Sequence, residues 1–316
     1  MKTRRDFLKT SLAAGAVLSL GGLERLFSAE PAGAAAAASS PGGAADKRSV
    51  LVAVRDGERA AMLDRALAEW GGMKAFVKPG QTVLVKPNIG WDVPPERGAN
   101  THPELVQRIV ELCYEAGARS VQIFDNPVDE WRRAYETSGI EAAARKAGAT
   151  MINGKDESLY RKVRIPRGQK LQEAEVHRLY LDADVVINVP VLKTHGGARI
   201  TACLKNLMGV VWDRRAYHRL DLHQCIADFP TLRKPELNIL DAYQPMVRNG
   251  PRGRSADDCV VMRTLLVSPD PVAVDAAGAR MLNLEPDQVA HIPLAARMGL
   301  GTADLDRVDI RRIRLG

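Results

Sequence analysis

Two hydrophobic periods alternate along the chain. Short runs rich in Val and Ile recur at Ser49–Val54, Thr82–Lys86, Ser120–Phe124, Thr150–Ile152, Lys162–Ile165, Asp184–Val189, Glu236–Asp241 and Val260–Val267. Several are apolar throughout, the pattern of strands covered on both faces. Helical spacing predicts helices over Glu58–Trp70, Pro103–Ala116, Ile140–Ala147, Arg199–Met208, Tyr217–Phe229, Pro271–Leu282 and Pro286–Met298. In the second of these, Leu105, Ile109, Leu112 and Cys113 share one face. Thr101-His102-Pro103-Glu104 predicts a capping box with Thr101 as N-cap. Ser268-Pro269-Asp270-Pro271 predicts Asp270 as N-cap, with proline at the first helical position. The alternation predicts an α/β fold: a largely parallel sheet flanked by helices, as a single large domain or two intimately packed α/β units.

The N-terminus reads differently. Residues 3–9 are TRRDFLK, and the apolar stretch SLAAGAVLSLGGL follows without a charge until Glu24. Paired arginines before so short a segment predict a twin-arginine export signal over residues 1–34, with a small-x-small cleavage site at Ala32-Gly33-Ala34. Residues 35–46, small and low in complexity, read as a linker, and 47–316 as the domain. The expected partner is the twin-arginine translocation machinery and the expected address periplasmic. No later run is long and apolar enough to span a bilayer, so no stable membrane insertion is expected after cleavage. That route carries folded proteins, often loaded with a cofactor, which favours a bound cofactor of a kind the sequence does not name.

The net charge of +7 comes from lysines and arginines dispersed among acids, and aromatics are 5% of residues. A nucleic-acid surface needs a clustered basic face, so no nucleic-acid partner is expected. Cys113, Cys203, Cys225 and Cys259 contain no Cys-x-x-Cys pair, which argues against an iron–sulfur cluster or zinc ribbon. Cys113 and Cys203 sit in apolar contexts and read as small core residues.

In parallel α/β sheets ligands sit beyond the carboxyl ends of strands. Five predicted strand ends carry polar groups: Lys86-Pro87-Asn88, Asp125-Asn126, the segment Lys193-Thr194-His195, Asp241, and Ser268-Pro269-Asp270. A cap explains Asp270, and His102 lies inside the predicted capping box. His195 precedes Gly196-Gly197, which lets the backbone turn at the start of a predicted helix. On that helix Ile200, Leu204 and Leu207 form the apolar face, Thr201 and Lys205 meet on another, and Gly209 fits a C-cap. Convergence predicts a pocket for a small anionic ligand. Lys193, His195 and Lys205 are the catalytic candidates, with His195 as acid–base group. Lys86, Asn88, Thr101, His102, Asp125, Thr194, Thr201 and Asn206 are the ligand-binding candidates. Asp241 and Asp275 are candidates for a divalent metal. His218 and His223, five apart, suit a shared metal poorly. No Gly-x-Gly-x-x-Gly, phosphate loop, His-Glu-x-x-His or Gly-x-Ser-x-Gly occurs where it would carry meaning.

Seven stretches together resemble the family called domain of unknown function 362: VLVKPNIG (83–90), THPELV (101–106), AGARSVQIFD (116–125), ADVVINVPVLKTH (183–195), TACLKNLMGVV (201–211), LNILDAYQPMVRNGPRG (237–253) and SPDPVAVDAAG (268–278). The resemblance implies an α/β domain of unsettled biochemistry. Some relatives are described as iron–sulfur proteins, but their clustered cysteines are missing here. Relatives tend to carry Met-Glu-Gly where this chain has Met246-Val247-Arg248, replacing a carboxylate. Two functions remain open at this stage: an exported enzyme or redox protein using a cofactor or metal, with a cationic pocket for a carboxylate or phosphate, and a non-catalytic periplasmic ligand-binding protein using the same pocket.

Overall fold

Val- and Ile-rich runs without alternating polarity need cover on both faces, and the chain supplies it. The computed structural model describes residues 21–28 and 48–316; the twin-arginine pair and the linker 35–46 lie outside them. The main sheet runs β12-β1-β11-β10-β7-β2-β3-β4. Its strands are β1 (Val50–Arg55), β2 (Thr82–Pro87), β3 (Ser120–Ile123), β4 (Thr150–Met151), β7 (Val185–Val189), β10 (Leu237–Met246), β11 (Thr264–Ser268) and β12 (Asp309–Arg314). From β4 to β10 every pairing is parallel. β11 is antiparallel to both β10 and β1, and β12 is parallel to β1. Two core clusters, one on each face, bury the apolar runs. Helices α1 (Arg59–Ala68) and α2 (Pro103–Glu115) help cover one face; α9 (Pro271–Met281) lies in the other cluster. The expected α/β architecture with a largely parallel sheet is therefore the observed one.

The first crossovers carry the chain from β2 outward to β3 and β4, and β7 then returns to the other side of β2. Strand order reverses between β2 and β7, so a crevice opens at their carboxyl ends.

Several local expectations differ. Thr101 is not a helix cap. Its hydroxyl donates to the Val189 carbonyl at 2.6 Å and accepts from the Asn88 amide at 2.8 Å, tying the β2 exit to β7. His102 takes the N-cap position without a side-chain cap. The predicted helix over Arg199–Met208 splits. β8 (Val191–His195) and β9 (Arg199–Thr201) form an antiparallel hairpin around Gly196-Gly197. Only Cys203–Asn206 (α6) is α-helical, and Gly209 lies inside a 3-10 turn (Leu207–Val210) rather than at a C-cap. The reason is tertiary: the Asp275 carboxylate takes the amides of Cys203 and Leu204 at 2.6 and 3.1 Å, starting the helix there. The helix predicted over Tyr217–Phe229 breaks at Asp221, whose extended backbone ends α7 (Arg215–Leu220) and whose side chain caps α8 (Leu222–Asp228). β5 (Tyr160–Arg164) pairs with β6 (Glu173–His177) in a separate hairpin. The β6, β8, β9 and β12 strands were not signalled by periodicity. Asp270 does cap α9, accepting from Val272 and Ala273.

Residues 21–28 form a helix on the domain. Leu23 and Leu26 are buried in the same cluster as α9. Arg312 donates to the Leu26 carbonyl at 2.7 Å, and Glu24 meets Arg55 at 3.0 Å. A Cβ on Gly22 would lie 2.2 Å from the Arg280 carbonyl oxygen, so the close approach requires glycine. Leu23→Ala with Leu26→Ala should lower the urea midpoint of the full chain with little change in slope, each fully packed leucine being worth about 2–5 kcal/mol. A chain cut after residue 34 should show the same loss. Equal midpoints for the cut and full chains would remove this helix from the core.

Candidate functional site

The crevice beyond β2 and β7 is an open cavity of about 610 Å³. β2 delivers Asn88, β3 delivers Asp125, the β8–β9 hairpin delivers Lys193, His195 and Thr201, and α6 delivers Lys205 and Asn206. These seven sequence-predicted residues share one cavity wall although they lie far apart in the chain.

Beneath that wall lies a buried ion pair. Lys86 Nζ sits 3.0 Å from Asp125 Oδ1, and the ammonium also donates to the Pro87 carbonyl at 2.6 Å. Asp125 accepts further from the amides of Asn126 at 2.8 Å and Ile89 at 2.7 Å. Three of its roughly four acceptor sites are thus spent on the fold. Gly209 presses on this pair: a Cβ there would stand 1.9 Å from Asp125 Oδ1 and 2.8 Å from Lys86 Nζ. The glycine read as a helix stop is thus a close-approach residue.

Lys193, wholly buried, donates to Asn88 Oδ1 at 2.8 Å and to the Ala99 carbonyl. An ammonium has no acceptor to offer, so Asn88 must turn its oxygen toward it. Asn88 Nδ2 then donates to Asn206 Oδ1 at 2.9 Å, Asn206 to Asn188 Oδ1 at 2.8 Å, and Asn188 to Asn238 Oδ1 at 3.0 Å. One buried lysine orients a chain of four amides across β2, β7 and β10. Asn188 and Asn238 were not site candidates on sequence; both stand inside apolar runs, and a buried amide in such a run was the available signal.

Lys205 differs from the other two. It lines the cavity and has no hydrogen-bond or ion-pair partner among the described residues. Burial and the Arg214 guanidinium bring its ammonium down to about 8. Burial, then Lys205, brings Lys193 to about 7. Burial also lowers Lys155 and Arg214, which line the same cavity. Trp91 and Trp212 form part of its wall.

His195, the expected acid–base group, has one ring nitrogen already engaged. Its Nδ1 accepts the amides of both Gly197 and Ala198 at 3.1 Å. The neutral ring then carries its proton on Nε2, and burial, with Lys205 and Lys193 nearby, pushes its pKa down to about 3. With Nδ1 spent on backbone amides, His195 offers a donor. In the folded chain the ring should show the Nε2–H tautomer and no 15N titration between pH 5 and 8. A midpoint near 6.5 would return it to the acid–base role.

Other candidates are used elsewhere. Thr101 is the latch described above. His102 stands beside Asp241, which accepts its amide at 3.2 Å. Thr194 accepts from the Gly250 amide at 3.3 Å. The two metal candidates do not meet. Asp241, mid-strand in β10 rather than at a strand end, pairs with buried Arg59 at 3.4 Å. Asp275 is committed to α6, and its carboxyl is pushed up to about 7 by burial. Among the described residues no group of three His, Cys, Asp or Glu side chains is arranged to hold a metal, so the donor set does not fit the expected divalent ion. Ser268-Pro269-Asp270 leaves the sheet at the opposite edge because β11 is antiparallel. All four cysteines are free.

Sequence reasoning missed Lys155, Arg214 and Arg215. Lys155 follows β4, where the strand-end rule would have found it; Arg214 and Arg215 lie beyond a 3-10 turn that no strand announces.

Comparison with known proteins bears on this arrangement. A family described as a domain of unknown function, DUF362, matches residues 83–280, which contain all seven wall residues named above. A twin-arginine translocation pathway signal matches residues 3–21, which marks the chain for export by that route. Among the described residues no helix is long and apolar enough to cross a membrane. The thylakoid-associated protein sll1697 of Synechocystis sp. is 28% identical over 258 residues, covering 77% of this chain and 76% of that protein. Among solved structures, the lactate racemase apoprotein of Thermoanaerobacterium thermosaccharolyticum aligns with TM-score 0.46 and 11% identity over 79% of this chain. A Thermotoga maritima protein aligns with TM-score 0.42 and 9% identity over 76% of it. The chain spans only 60% and 58% of those two structures.

Proposed function

The chain belongs to the DUF362 family, and on that premise we propose that it is an exported enzyme, working in the periplasm, whose basic cleft takes a small carboxylate- or phosphate-bearing ligand. It acts on that ligand through a lysine that sheds its proton near neutral pH. One observation carries the reading. Lys155, Lys193, Lys205, Arg214 and Arg215 line one cavity, while its two lining carboxylates are already committed, Asp125 to Lys86 at 3.0 Å and Asp213 to Arg219 at 2.7 Å. Gathering cations, several of them partly withdrawn from water, opposes folding, and an anionic ligand relieves that cost. The His195 Nε2–H adds a neutral donor suited to an oxyanion or carbonyl oxygen.

Thermal unfolding of the full chain with inorganic phosphate, pyruvate or citrate, against chloride at equal ionic strength, tests this. The midpoint should rise with the multivalent or carboxylate anions. The rise should shrink in Arg214→Met and Lys205→Met. No anion-specific rise at any concentration up to tens of millimolar would sink the reading.

A further inference from the structure

Resting on the reading of the cleft as an anion site, we propose that its ligands are 2-oxo acids and that Lys205 captures their carbonyl carbon as an imine. Of the lysines at the cleft, only Lys205 combines reach with freedom. Lys86 is sealed under Asp125 and the Pro87 carbonyl. Lys193 directs its protons at Asn88 Oδ1 and the Ala99 carbonyl. Lys155 sits on the loop between β4 and β5 rather than on a packed helix. Lys205 stands on α6, whose first amides are clamped by Asp275, so its stem is held while its nitrogen faces the cavity unpaired.

A lysine becomes a nucleophile when burial and neighbouring cations favour the free amine. Arg214 serves both needs. It is the leading charged neighbour that lowers Lys205, and its guanidinium is the group shaped for bidentate hold on a carboxylate. It is itself fixed by donating to the Pro127 carbonyl at 2.9 Å. The His195 Nε2–H supplies the donor for the ligand's carbonyl oxygen. The step balances without any oxidant: Lys205 nitrogen forms a bond to the carbonyl carbon, both amine protons pass to the carbonyl oxygen, and that oxygen departs as water. The resulting neutral imine takes one proton from solvent in the open cleft and becomes the iminium. A phosphate ligand would occupy the same cations without reacting.

The test is reductive trapping on the full chain. Pyruvate followed by sodium borohydride should add one lactyl-sized secondary amine per chain, located at Lys205 by peptide mass mapping. Inorganic phosphate should suppress it, and Lys205→Arg should abolish it in a protein that still unfolds cooperatively. A rise in unfolding temperature with pyruvate but no adduct at Lys205 would overturn the imine and leave the anion site standing. Adducts scattered over exposed lysines in equal yield would do the same. Absence of any stabilisation by phosphate or pyruvate would remove both.

Discussion

Asp125→Asn should cost the fold about 3–5 kcal/mol, because removing one member of a buried pair leaves the other uncompensated. Lys86 is fully enclosed and burial already disfavours its charge; the Asp125 carboxylate is the main opposing influence. The amide would also turn a donor either toward Lys86 Nζ and the Asn126 amide, which share Oδ1, or toward the Ile89 amide at Oδ2. Lys86→Met should cost a similar amount, since it strands the carboxylate. The double variant should cost clearly less than the two added together, because the amide then faces a thioether and not an ammonium. Urea unfolding of the four proteins gives the coupling directly. Gly209→Ala should resemble Asp125→Asn, since its methyl would occupy the carboxylate's place. The Gly209 carbonyl also accepts from the Asn126 amide at 3.0 Å, so the turn cannot simply retreat. Single variants within about 0.5 kcal/mol of the parent would mean that the pair is hydrated and the wall beneath the cleft is not rigid.

How much of this wall the sequence discloses depends on whether a residue's reason is local. The β2 and β7 strands are legible because burial on both faces leaves consecutive apolar residues, Val83–Val85 and Val185–Ile187, with no alternation to confuse the pattern. Lys86, Asn88, Asp125 and Lys193 follow from the rule that parallel strands end together. The same rule fails at Ser268-Pro269-Asp270, because nothing within Thr264–Ser268 says that β11 runs backwards. The β8–β9 hairpin was hidden for a different reason. Ile200, Leu204 and Leu207 do fall at helical spacing, but the Asp275 carboxylate, 72 residues away from Cys203, decides where the helix starts. Thr101 fits a cap by its neighbours, but the Asn88 amide takes the acceptor position a cap would use, and the hydroxyl proton goes to the Val189 carbonyl. His195 lines the cleft, yet its chemistry depends on two backbone amides that only the hairpin turn brings to Nδ1. Composition locates such groups, and backbone geometry fixes what they can do.

Lys205→Met should make the ligand-free protein more stable while weakening its response to anions. The native ammonium is lowered to about 8, against about 10.4 for an unfolded lysine. Between those values the unfolded chain binds more protons than the native one, so the ligand-free fold gains stability as pH rises through that window. Below about pH 8 the cost of holding the charge is fully present. Removing the ammonium should therefore raise stability at pH 6 by about 1–3 kcal/mol and reduce the rise between pH 8 and 10, leaving the share that Lys193, lowered to about 7, contributes. Asp275 works in the opposite sense. Its carboxyl, pushed up to about 7, keeps a proton in the native state that the unfolded chain has lost, so its contribution declines as pH rises from about 4 to 7. The two windows are separate, which lets one pH series distinguish them. With phosphate bound, the parent's deficit at pH 6 should disappear, because the anion stabilises the charged lysine. Phosphate stabilisation should accordingly fade as pH rises past 8 in the parent and be weak throughout in Lys205→Met. A variant less stable than the parent at pH 6, or one that keeps the full phosphate response, would show that Lys205 is charged at no cost and does not face the anion.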